Sequence, residues 1–290
     1  MPKEPNIPWH DGTVMSTMAQ RYDRHAQRYA RWWAPVLRPT VLSFLDRVTP
    51  LIDAHDAPRI LDVGTGTGSL AIELVRRLPK ARVSAVDGSR GMLAEADRIA
   101  SATLSPADRQ RLDLRDGLAD RLPFPDAAFD LVASSFVLQL VPNRHRAIRE
   151  AHRVLAPGGW IGYVAWRQDR TPFEPDAAWE RALDTVDAPE VGGTEEDRAG
   201  DIPSAAAAMA QLRRAGFGAV RAWEQVLERR WTRRSFLEFL EKYDEIDYLE
   251  GLDPAVRRRI HEAARREFGS VRPAAFVWRT PVVVAIGRRD

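Results

Sequence analysis

The chain has 290 residues, 44% of them apolar and 29% charged, which suits one large soluble core with additions. Its 43 lysines and arginines are interleaved with 41 acids and leave a formal charge of +2, a pattern of solvated helix faces that argues against a nucleic-acid surface. The sequence contains no cysteine, which excludes disulfides, thiolate metal sites and a cysteine nucleophile, and no run approaches the ~18 apolar residues of a membrane span.

In chain order, residues 1–12 are proline-rich and predicted to be extended, with no apolar signal region, so a cytoplasmic protein is expected. From Ser16 to about Val48, Met18, Tyr22, Ala26 and Tyr29 recur at helical spacing, and Pro35 and Pro39 predict a division into at least two helices. Between 58 and 167, short β runs alternate with helical runs, the sign of a parallel, doubly wound sheet. The β runs are 59–63, 82–87, 111–115, 129–134 and 160–166. Residues 168–203 read as a loop-rich insertion, marked by Pro172, Pro175, Pro189 and Gly192-Gly193, with one short helix near Trp179. A helix over 205–215 ends at Gly216, a strand follows over 219–230, helices occupy 232–267 and a last strand covers 277–287. This organisation predicts an N-terminal helical lid over 1–50 and a main domain over 51–290, carrying helical insertions at about 168–203 and 232–268.

The chemistry points to Asp62-Val63-Gly64-Thr65-Gly66-Thr67-Gly68, between an apolar strand and a helical run from Ser69. Glycines permit a tight turn and close approach of backbone to a ligand, and a helix N-terminus offers free N–H groups to negative charge. A dinucleotide G-x-G-x-x-G would need glycine at Ser69 or at Ala71, so both frames fail. Asp87 ends the next strand 19 residues after Gly68, where an acid can accept from a ribose diol.

Three further motifs follow in order: Gly88-Ser89-Arg90-Gly91-Met92-Leu93, then Leu122-Pro123-Phe124 running to Phe129-Asp130-Leu131-Val132, then Arg153-Val154-Leu155-Ala156-Pro157-Gly158-Gly159. Together with the glycine loop, over roughly residues 58–167, they resemble the class I S-adenosylmethionine-dependent methyltransferases, in particular the small-molecule type 11 or ubiquinone-menaquinone-biosynthesis-like branch. The resemblance implies a seven-stranded Rossmann-like sheet in the order 3-2-1-4-5-7-6, its last strand antiparallel. It implies S-adenosyl-L-methionine as cofactor. Gly64, Thr65, Gly66 and Gly68 would line the methionine part with Asp62 beside its ammonium group. Asp87 would hold the ribose, and Gly88, Ser89 and Met92 would border the adenine. Ser134 would lie beneath the methionine moiety.

One departure stands at the adenine edge. Relatives often carry G-D-A before L-P-F, where this chain has Gly117-Leu118-Ala119-Asp120-Arg121, so the contact to adenine N6 is left to Asp116, Asp120, water or nothing. Tyr22 and Tyr29 lie two helical turns apart on one face and resemble the Y-D-x-x-A-x-x-Y pattern preceding the core, where a tyrosine closes over the sulfonium; packing of this helix on the core explains them equally. Phe136 and Gln139 after the fourth strand, and Trp166 and Arg167 after the fifth, are candidate acceptor contacts. His10, His25 and His145 are the candidate bases, while His152 is expected to be structural. The histidines show no metal-ligand spacing, and no metal is expected.

The expected activity is methyl transfer to a small, partly apolar acceptor such as a quinone precursor, phenol or other secondary metabolite. The alternatives are an isomerase or cyclase using the bound sulfonium electrostatically, and a non-catalytic cofactor-binding protein. A homodimer is a further possibility that aromatic-rich insertions leave open.

Overall fold

The structure is a computed structural model that describes residues 22–168, 171–189 and 200–290. Seven strands form one sheet: β1 (Arg59–Val63), β2 (Arg82–Asp87), β3 (Leu112–Asp116), β4 (Phe129–Ser135), β5 (Leu155–Trp166), β6 (Phe217–Arg230) and β7 (Val277–Arg289). Their order is β3-β2-β1-β4-β5-β7-β6, the order the sequence motifs imply. The first five strands run parallel to one another, and β7 pairs antiparallel with both β5 and β6. The chain walks outward from β1 to β3, then returns to place β4 on the other side of β1. That reversal opens a crevice at the carboxyl ends of β1 and β4.

Strand alternation builds two cores. Ile60, Val83 and Leu131 face one side with Phe44, Leu45 and Leu74, whereas Leu61, Val86 and Val132 face the other with Ile148, Val154 and Leu212. Successive strand residues point to opposite faces, so a sheet covered on both sides reads as continuous apolar runs. A third cluster gathers Trp179, Phe236, Phe239, Leu249, Phe268 and Phe276 from the insertions and the end preceding β7, and it meets the first core at Trp33, Trp231 and Trp278.

The first described helix, α1, runs from 22 to 48 without a break in direction. Its middle, Tyr29–Trp33, is a π-helical turn in which the Ala34 N–H donates to Tyr29 O. Here the structure corrects the proline reading. Pro35 sits in the first turn after the π segment and Pro39 lies inside the helix, so neither divides it. The π turn shifts the bonding pattern just ahead of Pro35, which absorbs a residue that lacks an N–H.

Strand β5 also begins earlier than predicted. Pro157-Gly158-Gly159 reads as a turn, but it forms an irregularity within the strand, between Phe129↔Leu155 and Leu131↔Trp160, with Gly158 at φ +81°. Strand β6 starts at Phe217 through a similar register shift between Gly218 and Arg221, where Ala219 takes φ +43°. A bulge continues a strand that sequence punctuation would end. The extended segment 1–12, the predicted helix start at Ser16, and Gly192-Gly193 lie outside the described residues.

Candidate active site

A cleft of about 990 Å³, counting space open to solvent, occupies the carboxyl edge of the sheet at the β1/β4 reversal. The glycine loop, the ends of β2 and β4, the turn after β3 and the helix α1 all reach it.

Between β1 and the next helix, α2 (Ser69–Arg77), the loop is held by backbone bonds. Gly64 and Thr65 N–H both donate to Val86 O, at 2.8 and 2.9 Å, and Gly68 N–H donates to Thr65 O at 2.9 Å. All three glycines have positive φ: +73° at Gly64, +53° at Gly66 and +83° at Gly68. Their surroundings differ. A Cβ on Gly64 would collide with Val137, and one on Gly68 would press Ala96 and Ile72 at 3.2 Å, so these two serve packing. A Cβ on Gly66 would meet nothing within 4 Å and would enter the cleft itself. Of the three, Gly66 alone has open space where a Cβ would stand.

Asp62 ends β1 fully buried, and neither carboxylate oxygen closes a hydrogen bond of normal geometry. Burial pushes its pKa up to about 7; the Thr65 hydroxyl draws it down part way, and the charge of Asp87 raises it again. A buried carboxylate without a partner is costly, and an ammonium ligand would relieve it.

Asp87 lies at the end of β2, with Oδ2 accepting from Gly66 N–H at 2.7 Å and Oδ1 from Ser89 N–H at 2.9 Å. Its pKa is raised by burial, against the pull of these two N–H groups. Each carboxylate oxygen keeps a second lone pair, so it can still accept from a ribose hydroxyl. Asp87 therefore ties the two ligand-facing loops together. Ser89 caps the helix α3 (Arg90–Thr103) by accepting from Met92 N–H at 3.1 Å.

Of the residues assigned to the cofactor, Tyr22, Tyr29, Gly64, Thr65, Gly66, Asp87, Gly88, Ser89, Met92, Gly117, Leu118 and Ala119 line the cleft. Asp62 and Gly68 lie directly behind its wall. Ser134 faces away, its hydroxyl donating to Val63 O at 2.9 Å, and the neighbouring Ser135 lines the cleft instead. At the adenine edge, Leu118 packs 3.0 Å from the position a Cβ on Gly88 would take, while Asp116 pairs with Arg90 at 3.1 Å.

Of the acceptor-side assignments, Phe136 alone lines the cleft. It sits at φ +57°, strained for a residue with a Cβ, and is fixed by its N–H donating to Val164 O at 2.8 Å. Trp166 stands behind it, ring centroids 4.4 Å apart, and belongs to an aromatic cluster with Trp33 and Trp278. Gln139 is buried, with its backbone where a side chain at Gly200 would fall. Arg167 points to β6, 3.3 Å from Glu224. Neither faces the cleft, because each is engaged by the chain that covers the ends of β4 and β5.

The histidines are likewise spread out. His25 lies 3.2 Å from Asp247 on an insertion helix, His145 is exposed at the start of the helix after β4, and His152 packs its ring on Phe217. His10 lies outside the described residues. Among the described residues no group of acids and histidines could hold a metal ion, and no helix is long and apolar enough to cross a membrane.

Three contributors carried no functional assignment from the sequence. Leu37 and Val41 of α1, with Leu140 and Val141 after β4, form the apolar end of the cleft. Asp23 of α1 reaches across to β2: its carboxylate accepts from Ser89 Oγ at 2.5 Å and from Gly91 N–H at 2.8 Å. The signal available for Asp23 was its place directly after Tyr22, with no partner visible in sequence.

This fold is a doubly wound α/β sheet with its cleft at the strand-order reversal, and the sheet order is the one the sequence resemblance implies. Residues 61–162 match the family described as "Methyltransferase domain". The chain is 34% identical over 187 residues to the malonyl-[acyl-carrier protein] O-methyltransferase of Geobacter sulfurreducens, covering 62% of this chain and 64% of that one. It is 45% identical over 103 residues to the demethylmenaquinone methyltransferase of Thermus thermophilus, covering 35% of this chain and 44% of that one. The matches thus span less than two thirds of these curated relatives. Among solved structures, the [4+2]-cyclase SpnF is similar at TM-score 0.53 and 22% identity, over 87% of this chain and 80% of that one. The Haemonchus contortus phosphoethanolamine N-methyltransferase 2, solved with S-adenosyl-L-methionine, is similar at TM-score 0.51 and 18% identity, over 87% of this chain and 53% of that one. At such identities the likeness defines the fold.

Proposed function

We propose that the chain binds S-adenosyl-L-methionine in this cleft and transfers its methyl group to a small, partly apolar acceptor. The observation that carries the reading is the buried Asp62 carboxyl, raised in pKa by burial and closing no hydrogen bond of normal geometry, beside the open backbone of Gly66, whose N–H Asp87 accepts. Asp62 would receive the cofactor's ammonium group, Asp87 the ribose hydroxyls, and Ser89, Met92 and Leu118 would border the adenine. When bound, the cofactor supplies an electrophilic methyl on sulfur, which leaves as S-adenosylhomocysteine once the acceptor forms the new bond. Phe136, Leu37, Val41 and Leu140 would exclude water from that displacement and orient an apolar acceptor.

The two curated relatives are named for a quinone precursor and for an acyl group on a carrier protein. Those names support an acceptor with an apolar body, and the apolar end of the cleft suits one. Calorimetry with S-adenosylmethionine, S-adenosylhomocysteine and NAD tests the cofactor assignment, with binding of the first two and not the third as the expected result. An acceptor panel read by mass, with one methyl gained per product and stoichiometric S-adenosylhomocysteine, tests turnover. Product formation without S-adenosylhomocysteine would point instead to an isomerase or cyclase.

A further inference from the structure

Beside the cleft, the helix α1 is fastened to the turn after β2 by a side chain with no partner visible in the sequence. Asp23 projects from the first described turn of α1, and its partners Ser89 and Gly91 lie 66 and 68 residues further along the chain. The contact is charge-assisted on both arms, the stronger kind of hydrogen bond. It also sits at the N-terminus of α3, where an anion is favoured by the helix dipole. Ser89 and Gly91 accordingly hold the Asp23 carboxyl below the usual carboxylate range, with the nearby Arg90 charge adding to the effect.

Gly91 shows how closely the two elements meet. A Cβ there would lie 2.6 Å from the Asp23 carbonyl oxygen and 2.8 Å from its Cα. The fit therefore involves backbone against backbone, with the carboxylate as its fastener. From Ser89 the bonding continues inward. The Ser89 N–H donates to Asp87, and Asp87 in turn accepts from Gly66 N–H. Tyr22, adjacent to Asp23, and Tyr29, two turns on, both line the cleft that this chain of bonds encloses.

We infer that Asp23 is a positioning residue for the cofactor: it latches the lid helix α1 to the β2–α3 turn, so that lid closure and ordering of the Ser89–Asp87–Gly66 line are one event. The inference rests on the cofactor reading above for its ligand arm, while the latch itself is a property of the free chain. By linkage, whatever stabilises the ordered turn stabilises the closed lid by the same factor, and the reverse.

The other fastenings of α1 serve as an internal control. Arg28 pairs with Glu250 at 2.8 Å, with both side chains largely in solvent. That pair anchors the same helix but touches neither the β2–α3 turn nor the cleft.

The experiment is amide hydrogen exchange over residues 22–33 in the full-length protein, with and without S-adenosylhomocysteine, alongside calorimetric affinity. Asp23→Ala is expected to speed exchange over 22–33 by about tenfold or more in the free protein, the scale of a hydrogen bond to a charged group. It should weaken S-adenosylhomocysteine binding about tenfold and abolish the extra protection that the ligand gives to 22–33. Asp23→Asn, which keeps shape and one acceptor oxygen, should fall between; it also replaces Asp23→Ala as the test if that variant does not fold. Arg28→Ala should change affinity less than twofold. A double-mutant cycle of Asp23→Ala with Ser89→Ala should be strongly non-additive.

Unchanged exchange in Asp23→Ala overturns the latch. Faster exchange with unchanged affinity overturns its coupling to the cofactor. If the wild-type chain fails to bind S-adenosylhomocysteine at all, the cofactor reading falls together with the positioning role, and the exchange of the free protein still decides whether the latch exists.

Discussion

At the glycine loop, Gly64, Gly66 and Gly68 act within five residues of sequence, and their bonds close on the adjacent strand β2 or within the loop itself. The lid is held across far greater separations: 66 positions for Asp23 to Ser89 and 222 for Arg28 to Glu250. Both border one cleft. The first is built from backbone conformation, so residue type at each position is dictated locally. The second is built from side chains meeting over long loops, so residue type matters only through a partner that folding supplies. Variants on the two sides should consequently fail differently, the loop by losing ligand with the fold kept, the lid by losing order.

The largest effect is expected at Gly66. Gly66→Val places a β-branched side chain at φ +53° and fills the cleft, while no described atom stands within 4 Å of the new Cβ. The strain costs about 1–3 kcal/mol, so the fold should survive with a lowered Tm. Cofactor binding should vanish in calorimetry. Gly64→Ala is the informative contrast, because its Cβ would collide with Val137 in the wall. Its loss of binding should be accompanied by a broad loss of stability on chemical denaturation. If both variants behave alike, the division of labour within the loop is wrong.

Asp87→Ala comes next. It removes acceptors for Gly66 and Ser89 as well as for the ligand. Cofactor affinity should fall by about 1.5–3 kcal/mol, the usual scale for hydrogen bonds to a charged partner. An affinity within twofold of wild type would separate Asp87 from the cofactor.

Asp62 provides a test through pH. Its folded pKa of about 7 stands above its ordinary 3.8, so between those values the folded chain holds a proton that the unfolded chain has released. Stability should therefore fall as pH rises from about 4 to 7 and level off above, because the unfolded state binds fewer protons over that window. Asp62→Asn should flatten that slope in thermal melts and stabilise the free protein above pH 7. A cationic ligand should restore the ionised form, so binding near pH 6 should release up to about one proton, visible as a buffer-dependent binding enthalpy. A buffer-independent enthalpy would show that no cation reaches Asp62.

Much of this was legible in the sequence for a physical reason. The strand order was implied by the family resemblance that the ordered motifs carry, and the doubly wound sheet by short β runs alternating with helical runs. Pro35 and Pro39 misled because a π turn upstream of them is not a composition signal. Pro157-Gly158-Gly159 misled because a bulge and a turn use the same residues. For Asp23 the motif position was visible but its partner was not: an acid after a tyrosine on a helix looks solvated until Ser89 and Gly91 arrive from the turn after β2. Ser134 and Ser135 differ by one position, and a strand places such neighbours on opposite faces. Motif matching set the strand but not which serine lines the cleft.

The smallest effect is expected at Leu118, where the chain departs from the family pattern that its motifs otherwise resemble. Leu118 is half-buried on the cleft wall and packs toward Gly88, in a tight turn closed by Arg121 N–H donating to Leu118 O at 3.0 Å. Because the turn is held by backbone, Leu118→Asp should preserve it. The new carboxylate would stand at the adenine edge, able to accept from the exocyclic amine, while the lost contact with Gly88 works against it. A net gain of about 0.5–1.5 kcal/mol bounds the benefit, roughly tenfold in affinity at most. Binding that is unchanged or modestly tighter, with a Tm close to wild type, would show that the cleft tolerates either residue and that the apolar choice serves packing. A severe loss of both fold and binding would instead make Leu118 part of the core, and the adenine would then have to lie elsewhere along the cleft.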